Sequence, residues 1–141
     1  HALEQLPAGS RAAAAVSFGR GIVGRDDAVE RLHREYAGLP PVHTLNNLAL
    51  VVWALLSAED DFSAAIGEAV AAGWDTDCNG ATVGGLFGLT GKPIPDHWTA
   101  PWNERVGVSL AGESELSLGE LVARTVAVAD SIGAGNAPDI S

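Results

Sequence analysis

Methionine is missing from the chain, even at position 1. Translation starts with methionine, so a processed chain or a fragment is expected. Cys78 is the single cysteine. No disulfide can form within the chain, and a reducing, cytoplasmic setting fits. Basic residues are scarce: 8 Lys and Arg stand against 18 Asp and Glu, a formal net charge of −10. No basic stripe is present, which argues against nucleic acid and anionic membranes as partners. No apolar run reaches the roughly 18 residues that suggest a membrane span. The start, His1 to Leu6, lacks the basic and apolar parts of a signal peptide. The phosphate-loop, dinucleotide, Cys-x-x-Cys and His-Glu-x-x-His motifs are absent, as is any internal repeat.

What remains suits one folded domain. The chain has 141 residues, 47% of them apolar, enough for a single core. Its rhythm is helical. Ser10 is placed to cap a helix from Arg11 to Ile22, whose end Gly19, Gly21 and Gly24 weaken. Asp26 or Asp27 can cap Ala28 to Ala37, with Asp27 and Glu30 at capping-box spacing. Val29, Leu32 and Tyr36 form its apolar stripe, and Arg31, His33, Arg34 and Glu35 a solvated face. Gly38 and Pro40-Pro41 stop it. Thr44 is the expected cap of a helix from Leu45 to Ser57, apolar nearly all round and so central to a bundle. Glu59-Asp60-Asp61 opens the next helix, Phe62 to Ala72, with Phe62, Ile66, Ala69 and Val70 on one face. Ile94 to Trp98 predicts one helical turn, and Val106 to Leu110 a short extended piece. Ser117 and Glu120 make a capping box for a last helix, Leu118 to about Ile132, before a frayed tail at Gly133 to Pro138.

At the entrance of the central helix stand His43, Asn46 and Asn47. Polar groups there either satisfy free backbone amides or face a polar ligand. The two asparagines read as first-turn structural groups. His43 is retained as a candidate for substrate binding.

The chain turns on Gly73-Trp74-Asp75-Thr76-Asp77-Cys78-Asn79-Gly80-Ala81-Thr82. Residues two apart on a helix point to different sides. Asp75 and Asp77 can therefore converge only if Asp75 lies outside the helix. Gly73 is a natural stop for the preceding helix. Asp77 then falls at the N-cap of a helix running from Cys78 or Asn79. Such a loop and cap can aim two carboxylates at one hard cation; an ordinary cap is the simpler alternative. Asp75, Asp77, Asn79 and Gly80 also match the first half of an EF-hand loop, but its twelfth position is Leu86 rather than Glu, which excludes that motif. Gly80, Gly84 and Gly88 repeat every four residues and predict a smooth face for close helix approach. Three glycines cost about 1 kcal/mol each in helix propensity, which burial must offset.

This stretch, followed by a glycine-rich helix and Ile94-Pro95-Asp96-His97-Trp98, resembles the C-terminal signature of the ADP-ribosylglycohydrolase family. The resemblance runs from about Leu6 to Val128 and covers the C-terminal half of a family member. It implies an all-α helical bundle, with residues 1–141 forming the C-terminal part of one domain. It implies two magnesium ions, or manganese, held between a Thr-Asp-Asp motif in the other half and Asp75 and Asp77 here. Asp26-Asp27 and Asp60-Asp61 follow no Thr and read as helix starts. Where the family carries a hydroxyl, Cys78 stands; a neutral thiol is a poor ligand for a hard cation. Gly73 and Trp74, the latter in place of the more usual Gly, would line the substrate pocket with His43. The implied activity is hydrolysis of the bond between ADP-ribose and a protein or small-molecule acceptor. Its acid/base group is expected in the other half, so this chain alone should be inactive. Some relatives are implied to be structural or binding proteins, which keeps a non-catalytic reading open.

Overall fold

A computed structural model describes residues 2–135 of the chain. These residues divide into two units at Ile94/Pro95. As expected, the chain is mostly helical.

The first unit holds α1 (Arg11–Gly21), α2 (Ala28–Glu35), α3 (Thr44–Ser57), α4 (Phe62–Ala71) and α5 (Thr76–Gly88). Polar caps set most of these boundaries. Ser10 Oγ accepts the Ala13 amide at 3.1 Å and starts α1. Asp61 Oδ1 does the same for Ala64 at 3.0 Å and starts α4. At α3 the cap is His43, not Thr44: its Nδ1 accepts the Leu45 amide at 3.1 Å, so the helix begins one residue early. At α2 the expected carboxylate cap does not form. Asp27 is held instead by Arg25 Nε at 3.0 Å and Arg31 Nε at 2.8 Å. Two charge-assisted bonds outcompete a single neutral amide.

The middle of this unit is α3, in contact with α1, α2, α4 and α5. Asn46, Ala49, Leu50, Trp53 and Ala54 recur at helical spacing and are buried. The four apolar ones meet Leu32, Ala65, Ala69, Val83 and Phe87 in one core. The burial of α3 is one-sided, however. Leu48, Val52 and Leu55 are only half-buried, and Leu56 is 48% exposed. An all-round apolar helix has more apolar surface than these neighbours cover.

The closest helix approach falls on an unexpected glycine. A Cβ at Gly19, in α1, would run into the Ala49 carbonyl oxygen of α3. Of the glycines on α5, a Cβ added at Gly80 would lie 3.3 Å from Val70 and one at Gly84 3.5 Å from Ile66, while one at Gly88 would meet nothing within 4 Å. The glycine face of α5 therefore receives side chains of α4 rather than a backbone, and it ends one repeat early.

In the second unit, α6 (Asp96–Thr99) is the expected single turn, and Trp98 on it is 37% exposed. The extended piece forms as β1 (Arg105–Gly107), antiparallel to β2 (Glu115–Ser117) with Val106 opposite Leu116. Leu116 is buried. Ser117 Oγ accepts the Glu120 amide at 3.1 Å and opens α7 (Leu118–Gly135). This helix continues through Gly133 to Gly135, where a frayed tail was expected; Asn136 to Pro138 lie outside the described residues. Val122, Val126 and Val128 on α7 are each more than half exposed.

Candidate metal centre

The site is built on the way the chain leaves α4. The Gly73 amide bonds to the Val70 carbonyl at 3.2 Å, and its φ is +90°. Glycine takes that conformation at no steric cost. Trp74 repeats it, with φ +60°. A left-handed residue with a side chain costs on the order of 1–3 kcal/mol and persists where its surroundings hold it. The His33 ring supplies part of that hold, lying 4.5 Å from the Trp74 ring centre with the planes tilted by 40°. His33 Nε2 is 2.8 Å from the Ala72 carbonyl oxygen. A carbonyl only accepts, so Nε2 is the protonated nitrogen. His33, expected on the solvated face of α2, thus braces a loop far along the chain.

Two left-handed residues in succession complete the turn early, and α5 starts at Thr76 with Asp75 as its N-cap. The expectation of an Asp77 cap and a helix from Cys78 or Asn79 is corrected by this geometry: the Asp75 carbonyl already accepts the Asn79 amide at 2.9 Å. Asp75 makes no side-chain cap bond. Its carboxylate faces Asp77 in the first turn. One ligand atom each of Asp75, Asp77 and Cys78 lies within 4.8 Å of the other two. Asp75 is half-buried; Asp77 and Cys78 are exposed.

The electrostatics favour anionic oxygen over sulfur. Asp77 is held below the usual carboxylate range, first by the Cys78 backbone amide and then by a hydrogen bond with the Asp75 side chain. The Cys78 thiol is pushed up, first by its hydrogen bond to Asp75 and then by the charges of Asp75 and Asp77. At neutral pH the cluster therefore presents carboxylate beside a neutral thiol. Among the described residues neither aspartate forms an ion pair. Magnesium is commonly held by one or two carboxylates and keeps several waters. The two aspartates fit that donor set, and the neutral thiol does not add to it.

The asparagines at the start of α3 do more than settle free helix amides. Asn46 is fully buried and donates to the Pro40 and Pro41 carbonyls at 3.3 and 3.4 Å. Asn47 reaches the loop that carries Asp75: its Oδ1 accepts from the Asp75 amide at 3.3 Å and from Asn79 Nδ2 at 2.7 Å. His43 is occupied at its Nδ1 by the cap, and its backbone carbonyl accepts from Asn47 at 2.9 Å. Gly73 and Trp74 thus lie directly against the carboxylates in sequence, while His43 is linked to them through Asn47. Three residues hold the site in ways the sequence does not show: His33 reads as part of a solvated face, Asn47 as a first-turn structural group, and Asn79 as a member of the signature with no partner assigned. Asn79 lay inside the signature, but the other two reach it across 39 and 28 positions, which no local spacing reveals. Beside the cluster runs a groove of about 440 Å³ with a mostly apolar lining that includes Val51, Val52, Leu55 and Leu86 as well as Asp75, Cys78 and Asn79.

The family model described as ADP-ribosylglycohydrolase matches residues 1–131. No curated protein and no solved structure matches the chain.

Proposed function

Because the chain belongs to the ADP-ribosylglycohydrolase family, we propose that it forms the C-terminal part of one metal-dependent domain that hydrolyses the glycosidic bond between ADP-ribose and an acceptor. The family is generally metal-dependent and acts on ADP-ribosylated substrates. The acceptor is a protein side chain or a small molecule. The observation that carries the reading is the convergence of Asp75 and Asp77, without an ion pair among the described residues, within the signature stretch. These two aspartates hold the cation from this half. Magnesium is proposed, two ions in the complete domain, with manganese as the other oxygen-preferring candidate. Bound there, the cation supplies Lewis acidity and a template for water and the ribose diol.

The chain's own residues add the following. Asp75 and Asp77 would hold the cation, and carboxylates near the anomeric carbon would stabilise the positive charge that builds there as the bond breaks. The Trp74 indole, fixed by His33, forms a wall beside them, and Gly73 lets the backbone pass close. His43, with Nδ1 used by its cap, has Nε2 to offer a bound sugar or phosphate. The acid/base group is assigned to the part of the domain upstream. The single thiol supports a reducing, cytoplasmic setting. No helix among the described residues is long and apolar enough to cross a membrane.

The test is Asp77→Ala in the intact protein. Metal-dependent release of ADP-ribose should fall to background with an unchanged far-UV circular dichroism spectrum; full activity in that variant overturns the assignment. The neutral Cys78 thiol in the hydroxyl position supports one second reading, a binding relative. Titration of the intact protein with magnesium and ADP-ribose separates the two, since binding without turnover selects the binding role.

A further inference from the structure

We propose that Asn47 is a positioning residue for the Asp75–Asp77 pair, acting through the Asp75 amide and the Asn79 side chain to set how the two carboxylates face each other. The inference rests on the metal-binding reading of that pair.

All the hydrogen-bonding capacity of the Asn47 side chain is used. Oδ1 accepts from the Asp75 amide at 3.3 Å and from Asn79 Nδ2 at 2.7 Å. Nδ2 donates to the Pro41 carbonyl at 2.7 Å and the His43 carbonyl at 2.9 Å. A side-chain amide has two acceptor positions and two N–H donors, so nothing is left for a ligand. The orientation is unambiguous as well. Three of the four partners are backbone groups of fixed polarity, and turning the amide over would set donor against donor and acceptor against acceptor.

The anchor and its load differ in kind. Asn47 sits on the first turn of α3, the helix at the middle of the first unit's core. Beside it the buried Asn46 donates to Pro40 and Pro41, which ties down the same segment that receives the Asn47 amide. The load is the first turn of α5. Asp75 stands at its start and Asn79 at its end, joined by the Asn79 amide and the Asp75 carbonyl at 2.9 Å. Asp77 and Cys78 lie between these two points. A single oxygen of Asn47 grips both ends of that turn, and Asn79 is 3% exposed. On the other side of the loop, His33 holds Ala72 and Trp74. His33 braces the approach to the site, whereas Asn47 fixes the turn that carries the ligands.

The experiment measures Mn2+ dissociation constants by electron paramagnetic resonance on the intact protein. It compares wild type, Asn47→Ala, Asn79→Ala, the double variant and Asp77→Ala, each at a temperature where thermal melts show it fully folded. Loss of an outer partner of a metal ligand typically weakens binding roughly 10–100-fold, and that range is expected for Asn47→Ala and Asn79→Ala. The double variant should be no weaker than Asn47→Ala alone, because that change already removes both bonds to Oδ1. If Asn47→Ala does not fold, Asn79→Ala removes the shorter of the two bonds from its other end and carries the same expectation. Unchanged Mn2+ affinity in folded Asn47→Ala or Asn79→Ala, with affinity lost in Asp77→Ala, overturns the positioning role and leaves the metal reading standing. Absence of Mn2+ binding in wild type, or binding unaffected by Asp77→Ala, overturns both.

Discussion

Asp27 and the Asp75–Asp77 pair both stand at the start of a helix, and the protein treats them in opposite ways. The Asp27 carboxylate lies between two guanidinium groups, Arg25 and Arg31. The carboxylates of Asp75 and Asp77 face each other and a thiol. Asp60–Asp61, a third acidic start, follows the first pattern: Asp61 caps α4 and Asp60 pairs with Lys92. Acidity at a helix start is therefore ordinary in this chain, and two of the three cases are satisfied from within. What sets 75–77 apart is that two carboxylates are brought together with no cationic side chain paired to them among the described residues. A bound cation would supply there the positive charge that arginine and lysine side chains supply at the other two starts.

The strongest way to break this contrast is to delete one carboxylate from each place. Asp77→Ala should lose hydrolysis, whereas Asp27→Ala should keep it, measured as ADP-ribose released by the intact protein. The same variants separate in thermal stability. A cation at a hundredfold excess over its dissociation constant stabilises a folded protein by about 2.7 kcal/mol. Wild type and Asp27→Ala should show that rise with Mn2+ or Mg2+, and Asp77→Ala should not. An equal rise in all three would mean that the cation acts elsewhere.

A smaller effect tests the backbone. Gly73 and Gly24 are both left-handed, with φ +90° and +74°, and each lies just before an acidic helix start. Neither has a neighbour that an added Cβ would strike. Gly73→Ala and Gly24→Ala should therefore each lose about 1–2 kcal/mol of stability through conformational strain alone. Only Gly73→Ala should also weaken the Mn2+-dependent rise in melting temperature, because only that loop leads into the cation pair. Equal cation responses in the two variants would detach the loop conformation from the site.

How much of this was legible in the sequence follows from the range of each interaction. Ser10, Asp61 and Ser117 act within three residues, and their caps are visible as spacing. The placement of Asp75 outside the helix followed from the geometry of residues two apart. The cap itself was read two residues late, because Gly73 alone marked the turn and nothing marked Trp74 as left-handed. Asp26 or Asp27 reads as a cap from its place before the helix, but the arginines two and four residues from Asp27 compete for its oxygens and win. The braces of the site, His33 and Asn47, act across the fold, whereas in sequence His33 looks like part of a solvated face and Asn47 like a first-turn group that satisfies backbone amides. Gly19 was read as a weak helix end, although its missing Cβ is what admits the Ala49 carbonyl.

The smallest expected effect concerns pH, and it separates the two acidic starts by the cause of their shifts. The Arg31 guanidinium, with Arg25 beside it, pulls Asp27 down to about 2 from the usual 3.8. A depressed carboxylate contributes stability that is complete above its unfolded value and lost as pH falls through the folded one. For Asp27 that window runs from about 3.8 down to about 2. Arg31→Ala should move the Asp27 midpoint, followed by NMR titration of its side chain, back toward 3.8 and leave Asp77 where it is. Asp77 is also depressed, but first by the Cys78 backbone amide rather than by a cation. The Debye length falls from about 10 Å at 0.1 M to about 3 Å at 1 M, so high salt reaches even an exposed pair in contact, while a backbone hydrogen bond keeps its contact. Raising the salt concentration should therefore raise the midpoint of Asp27 more than that of Asp77. A larger salt response at Asp77 would mean that a mobile cationic side chain reaches that pair in solution, and that its carboxylates are not reserved for a metal ion.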